Sequence, residues 1–134
     1  MISGQCLCGA VGFKVSEPFV TVSACHCTSC KKLSGGAGTV NGRAPTAAVR
    51  VVAGAEHVRT FQPEEGSAKT FCAVCGSNLF GAGWPHSEFT SVRLSALDEP
   101  YQGRIERHIY VRSVAPWETF PDDGAPRFDT TAEG

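Results

Sequence analysis

The sequence predicts an all-β fold with little or no helix, and three observations carry that reading. Apolar and β-branched residues alternate with polar ones at the strand period of two. Fifteen glycines and eight prolines cut the chain into short segments. No stretch keeps the 3.6-residue period of a long amphipathic helix.

The elements follow in chain order. Ala10-Val11-Gly12-Phe13-Lys14-Val15 predicts a strand closing before Pro18, and residues 19–24 predict the next. Residues 28–34 predict one helical turn and 44–48 another. Val49-Arg50-Val51-Val52 stops at Gly54; residues 57–61 follow and end in the turn-rich Gln62-Pro63-Glu64-Glu65-Gly66. Lys69-Thr70-Phe71 leads into a cysteine pair, and residues 88–94 and 104–111 are the clearest later strands. From Pro116 to Gly134 the prolines and Asp122-Asp123-Gly124 predict an extended tail lying on the body. No internal repeat or linker divides the chain, so residues 1–134 are expected to form one domain.

Composition excludes several functions. The chain has 134 residues, 42% hydrophobic and 19% charged, a globular balance. Twelve Lys+Arg against thirteen Asp+Glu give a formal charge of −1, with no basic excess to grip nucleic acid. No apolar run approaches the roughly 18 residues of a membrane span, and Met1-Ile2-Ser3-Gly4-Gln5 has no signal-peptide core. A soluble cytoplasmic protein is the expectation.

Cysteine is the informative residue. There are seven, an odd number that disulfide pairing alone cannot satisfy, and a reducing compartment disfavours such pairing. They fall as Cys6 and Cys8, then Cys25, Cys27 and Cys30, then Cys72 and Cys75. Two pairs supply a closed four-cysteine site, and the triplet supplies three ligands with a fourth position open. Zinc is the expected ion, because it takes tetrahedral thiolate sites that are closed when structural and open when catalytic. With two such ions the formal charge would fall to about −4, further from any nucleic-acid role.

Each cluster has a local logic. Cys6 and Cys8 share one face of an extended segment. Cys72-Ala73-Val74-Cys75-Gly76 has knuckle spacing, with Gly76 free to take positive φ after the turn. A buried apolar thiol explains any one cysteine, though not three tight clusters. A redox Cys-X-X-Cys would open a helix in an α/β pattern, which is absent. In Cys25-His26-Cys27-Thr28-Ser29-Cys30, His26 should point away from the ion its neighbours share and serve packing or support. His57, His86 and His108 are the candidates for a fourth ligand if the triplet is closed.

These motifs resemble the glutathione-dependent formaldehyde-activating enzymes, whose domain is shared with centromere protein V. The resemblance runs from about Gly4 to Phe128. It rests on Gly4-Gln5-Cys6-Leu7-Cys8-Gly9-Ala10-Val11, on Cys25-His26-Cys27-Thr28-Ser29-Cys30-Lys31-Lys32-Leu33-Ser34-Gly35, and on Phe71-Cys72-Ala73-Val74-Cys75-Gly76-Ser77. Leu97-Asp98-Glu99-Pro100, His108-Ile109-Tyr110-Val111, Ala115-Pro116-Trp117 and Pro126-Arg127-Phe128 add to it. One departure is Val58-Arg59-Thr60-Phe61-Gln62, where relatives often carry Tyr and small polar residues.

The resemblance implies a zinc-stapled β-tent of small antiparallel sheets. It implies a structural zinc on Cys6, Cys8, Cys72 and Cys75 and a catalytic zinc on Cys25, Cys27 and Cys30, two ions per chain. It also implies a carbon–sulfur lyase that joins formaldehyde to the thiol of glutathione, giving S-(hydroxymethyl)glutathione. A free thiol, pKa about 8.5, is mostly protonated at neutral pH, so the expected role of the open position is to hold it as the nucleophile. Lys31 and Lys32, directly after Cys30, are candidates to hold the glutathione carboxylates. Ser34-Gly35-Gly36 offers backbone donors, and Trp117 and Phe120 are candidate pocket walls or plugs. Two alternatives stay open: an enzyme using another thiol or aldehyde, and a non-catalytic zinc-stabilised binding module.

Overall fold

The computed structural model describes residues 1–131. In chain order it contains β1 (Ile2–Gln5), β2 (Gly12–Val15), β3 (Thr21–Cys25), α1 (Thr28–Ser34), β4 (Thr39–Pro45), β5 (Val49–Ala53), β6 (Val58–Phe61), β7 (Lys69–Cys72), β8 (Asn78–Phe80), β9 (Phe89–Arg93) and β10 (Arg107–Ile109), with four short 3₁₀ turns between them. The all-β class with one short helix agrees with the sequence reading.

Two sheets share these strands. The smaller has the order β1-β2-β5 and is antiparallel; the larger has the order β10-β3-β4-β9-β8-β7-β6. Its pairs are antiparallel except β10 with β3, which is parallel. The alternation of β2 puts Phe13 and Val15 inward, where they meet Leu79, Phe80 and Val92 of the large sheet. Phe13 and Phe80 pack edge to face with centroids 5.1 Å apart. Each such buried ring contributes roughly 2–3 kcal/mol of transfer free energy.

Three strands escape the sequence reading: β1, β4 and β8. The central strand β4, Thr-Val-Asn-Gly-Arg-Ala-Pro, has weak strand chemistry. Its Gly42 is there for space, since a Cβ would lie 2.5 Å from the Phe19 ring that covers it. Pro45 is tolerated because it is the last residue of the strand. The predicted turn at 44–48 reduces to a 3₁₀ turn over Thr46–Ala48, and the strand at 104–111 to Arg107–Ile109.

The tail returns to the body. Amides of His108 and Tyr110 donate to the carbonyls of Pro126 and Thr130, and the Phe128 amide donates to the His108 carbonyl, each at 2.9 Å. Residues 126–130 thus occupy the outer side of β10. Residues 132–134 of the predicted tail lie outside the described residues.

Candidate metal centres

The first cluster forms where two tight turns face each other across the two sheets. The turn after β1 carries Cys6 and Cys8, its ends tied by the Cys6 amide to the Val11 carbonyl at 3.0 Å. The turn between β7 and β8 carries Cys72 and Cys75, closed by the Gly76 amide on the Cys72 carbonyl at 2.7 Å. Gly76 has φ +80°, the left-handed conformation its position predicts. Ser77 joins the halves: its hydroxyl accepts from the Leu7 amide at 2.8 Å and lies 3.2 Å from the Cys75 sulfur.

All four sulfurs lie within 4.8 Å of one another. The Cys6–Cys8 and Cys8–Cys72 separations are 3.6 and 3.9 Å, bracketing the ~3.8 Å that a tetrahedral ion with 2.3 Å bonds requires. They are far too long for a disulfide. The Ser77 hydroxyl and amide hold the Cys75 thiol down at about 5. At Cys8 the Ala10 amide lowers the pKa, but desolvation and the Cys6, Cys75 and Cys72 sulfurs outweigh it and push it up to about 11. Four sulfurs crowded this closely gain most from a shared cation, which takes them as thiolates.

The second cluster is local. Cys25 ends β3, Cys27 caps α1, and Cys30 lies in its first turn, where the Cys30 amide donates to the Cys27 sulfur at 3.4 Å. The three sulfurs lie within 4.8 Å of one another, Cys25 and Cys30 buried and Cys27 half-buried. The Cys25 and Cys30 thiols donate to Cys27 and draw its pKa far down, whereas Cys27 and Cys30 push Cys25 up. Among the described residues no histidine or carboxylate joins the three sulfurs as a fourth ligand.

Beside them lies a residue that sequence reasoning missed. Arg93, 2% exposed, ends β9 and reaches across β4. Its Nη1 donates to Asn41 Oδ1 at 2.6 Å and to Thr39 Oγ1 at 3.0 Å. Thr39 is the register partner of Cys25, so this contact brings the guanidinium to the triplet. Burial pushes the Arg93 pKa down, and the neighbouring Cys30 and Cys25 sulfurs push it back up. Its Nε and Nη2 are buried without a hydrogen-bond partner.

The family model described as glutathione-dependent formaldehyde-activating enzyme matches residues 1–113. The chain belongs to that family. A Halomonas elongata protein provisionally named a glutathione-dependent formaldehyde-activating enzyme is 32% identical over 126 residues, covering 87% of this chain and 79% of the relative. A Rhodobacter sphaeroides crystal structure superposes with a TM-score of 0.61 at 25% identity, covering 77% of this chain and 96% of that one.

The two cysteine sets of this formaldehyde-activating family member fit zinc by their chemistry. One offers four sulfurs at tetrahedral spacing. The other offers three sulfurs beside a buried guanidinium, a cation that favours those sulfurs as thiolates.

The remaining predicted residues fall as follows. Lys31 donates from Nζ to the Ser113 carbonyl, which ties α1 to the segment after β10; Lys32 is exposed. Gly35 and Gly36 amides are used by the Lys31 carbonyl and Ser34 hydroxyl, so neither is a free donor. Trp117 is 71% exposed. Phe120 lies against the rings of His26 and His108, with centroids 5.0 and 4.8 Å away.

His57 lies 3.6 Å from Glu56, and His86 is exposed. His108 is buried: its Nε2 meets Asp123 Oδ2 at 2.7 Å and its Nδ1 meets His26 Nε2 at 3.0 Å. The carboxylate can only accept, so His108 donates from Nε2 and takes a proton donor from His26 at Nδ1. Glu118 stands 3.4 Å from the other His26 nitrogen. His26 therefore packs on the tail side, anchoring the backbone between Cys25 and Cys27. Glu118 and Asp123 had no motif to announce them.

A cavity of about 840 Å³ runs along the same face. Leu7 and Ser77 line one end near the tetrad; Ser34, Thr39 and Arg93 line the other. None of the three triplet sulfurs is on its lining; Arg93 and Thr39 stand between.

Proposed function

We propose that this chain, acting as one domain over residues 1–134, joins formaldehyde to the thiol of glutathione at the Cys25–Cys27–Cys30 centre. In class it is a carbon–sulfur lyase working in the synthetic direction. The observation that carries the reading is the triplet itself: three sulfurs gathered by one strand end and one helix start, with no fourth ligand among the described residues. Cys6, Cys8, Cys72 and Cys75 are assigned to a structural zinc and the triplet to a catalytic one.

A zinc ion on the triplet would supply one thing, a fourth position in which a thiol loses its proton near neutral pH. The chain's own residues do the rest. β3 and the cap of α1 fix three sulfurs in one geometry, and the contacts of His26 with His108 of β10 and Glu118 of the tail hold that geometry from the back. The half-buried Cys27 marks the accessible side. In the reaction the substrate sulfur bonds to the aldehyde carbon, the carbonyl π bond opens, and the proton released by the thiol ends on the new hydroxyl. The cavity beside Arg93 offers room for the body of a peptide-sized thiol, and Lys32, next in sequence to Leu33 of its lining, is exposed and free to attract carboxylates.

Exchange NMR on zinc-loaded protein with glutathione and formaldehyde tests this. Protein should accelerate interconversion at equilibrium above a zinc-free control; equal rates would sink the proposal. The engagement of Lys31 by Ser113 favours one second reading, an enzyme using a thiol without glutathione's carboxylates. The same measurement with a simple thiol distinguishes it.

A further inference from the structure

The large sheet places two buried cations on the face that carries the triplet. Val92, Phe80 and Thr70 are consecutive partners across β9, β8 and β7, and all three are fully buried toward the core. Arg93 follows Val92 on β9 and Lys69 precedes Thr70 on β7, one to either side of that row, so both project to the opposite face. Asn41 and Thr39 of β4 and Cys25 of β3 lie on that same face through the register Arg93–Asn41 and Thr39–Cys25. Lys69 is 5% exposed, its ammonium bonded only to the Ser67 hydroxyl at 3.1 Å. Arg93 has Nη1 in use and its other nitrogens unpartnered.

Burying two cations without carboxylates costs several kcal/mol each unless anions lie close. Among the described residues neither forms an ion pair with Asp or Glu. The anions that share this face are the triplet sulfurs once they ligate a metal ion. Charge then leads to a definite conclusion. A dication with three thiolates carries one negative charge, and the two buried cations carry two positive ones. The assembled centre is short of one anion.

We propose that Arg93 and Lys69 form a cationic cradle that makes the triplet centre select an anionic fourth ligand, the thiolate of a small-molecule thiol, over a neutral one. This rests on the open-position reading above and adds which chemistry may enter and which residues decide it. Neither residue is assigned contact with the reacting carbon; they act through the charge of the centre.

The test is ligand binding to the full chain loaded with cobalt, read in the visible spectrum. The probes are 2-mercaptoethanol, which binds as an anion, and imidazole, which binds neutral. In the unaltered protein both should perturb the cobalt bands. Arg93→Met should weaken 2-mercaptoethanol at least tenfold and leave imidazole within about twofold, since Coulomb attraction at this range acts only on the charged ligand. Arg93→Lys, which keeps the charge and loses the fork, should fall between. The four-sulfur cobalt bands of the tetrad report that the fold is intact; if Arg93→Met does not fold, Lys69→Met and Arg93→Lys decide the matter. Thiol affinity unchanged in folded variants, or thiol and imidazole weakened alike, would overturn the cradle alone. An unaltered protein that responds to no thiol would instead overturn the open position, and the cradle with it.

Discussion

The tetrad and the triplet use the same ligand and differ in how far apart in the chain it is drawn from. Cys8 and Cys72 are 64 residues apart, one on a turn of the small sheet and the other on a turn of the large one. An ion between them closes a long loop and joins two sheets whose shared core is thin. The triplet spans six residues from Cys25 to Cys30, already held by β3 and the cap of α1. An ion there closes nothing that the backbone has left open. Ligands gathered over long range make a metal part of folding; ligands gathered locally leave it free for exchange and chemistry.

The largest expected effect sharpens that contrast. Cys6→Ser or Cys72→Ser should lower stability by at least ~4 kcal/mol, seen as insoluble expression or a melting temperature down by more than ~10 °C. Cys27→Ser should move the melting temperature by only a few degrees, reduce bound zinc by one ion per chain and abolish turnover. Comparable loss of fold in all of these variants would erase the distinction between the clusters.

Metal removal should separate the sites in time. A limiting chelator should strip the triplet first, because three protein ligands hold less firmly than four, and activity should vanish while the unfolding transition barely moves. Simultaneous loss of both ions, followed by elemental analysis, would break the comparison from the other side.

The smallest effect belongs to the tail that supports the triplet from behind. The His108 ring holds the Asp123 carboxyl below its usual range. A depressed folded pKa contributes stability above the unfolded value, about 3.9, and that contribution is lost as pH falls through the folded value. Asp123→Asn should therefore lower the melting temperature slightly at pH 7. The difference from the unaltered protein should stay level down to about pH 4 and shrink below it. A difference that grew on acidification would reverse the assignment.

The cysteine sets were legible in the sequence because ligand spacing is a property of the covalent chain. So were the alternating strands β2, β5 and β9, whose burial follows the side-chain pattern. What was hidden depends on register. Arg93 reaches Cys25's partner only across β4, and β4 is disguised by Gly42 and Pro45. Lys31, next to Cys30 in sequence, is rotated by about 100° around the helix and ends on the Ser113 carbonyl. His26 was expected to face away from the sulfurs and does, but its partner Glu118 sits some ninety residues downstream, and Asp123 reaches it only through His108, both in a segment with no periodicity to read.

The return of residues 126–130 along β10 has a consequence for how molecules of this protein meet. At that end of the large sheet the backbone groups of β10 are already engaged by the chain itself. At the other end β6 has β7 as its single neighbour and carries Arg59 and the exposed Phe61. An edge taken up by an irregular tail is a poorer template for a new strand than the bare edge of β6. Two copies meeting β6 to β6 would use up each other's free edge and stop at a closed pair, where a sheet open at both ends could grow into a filament.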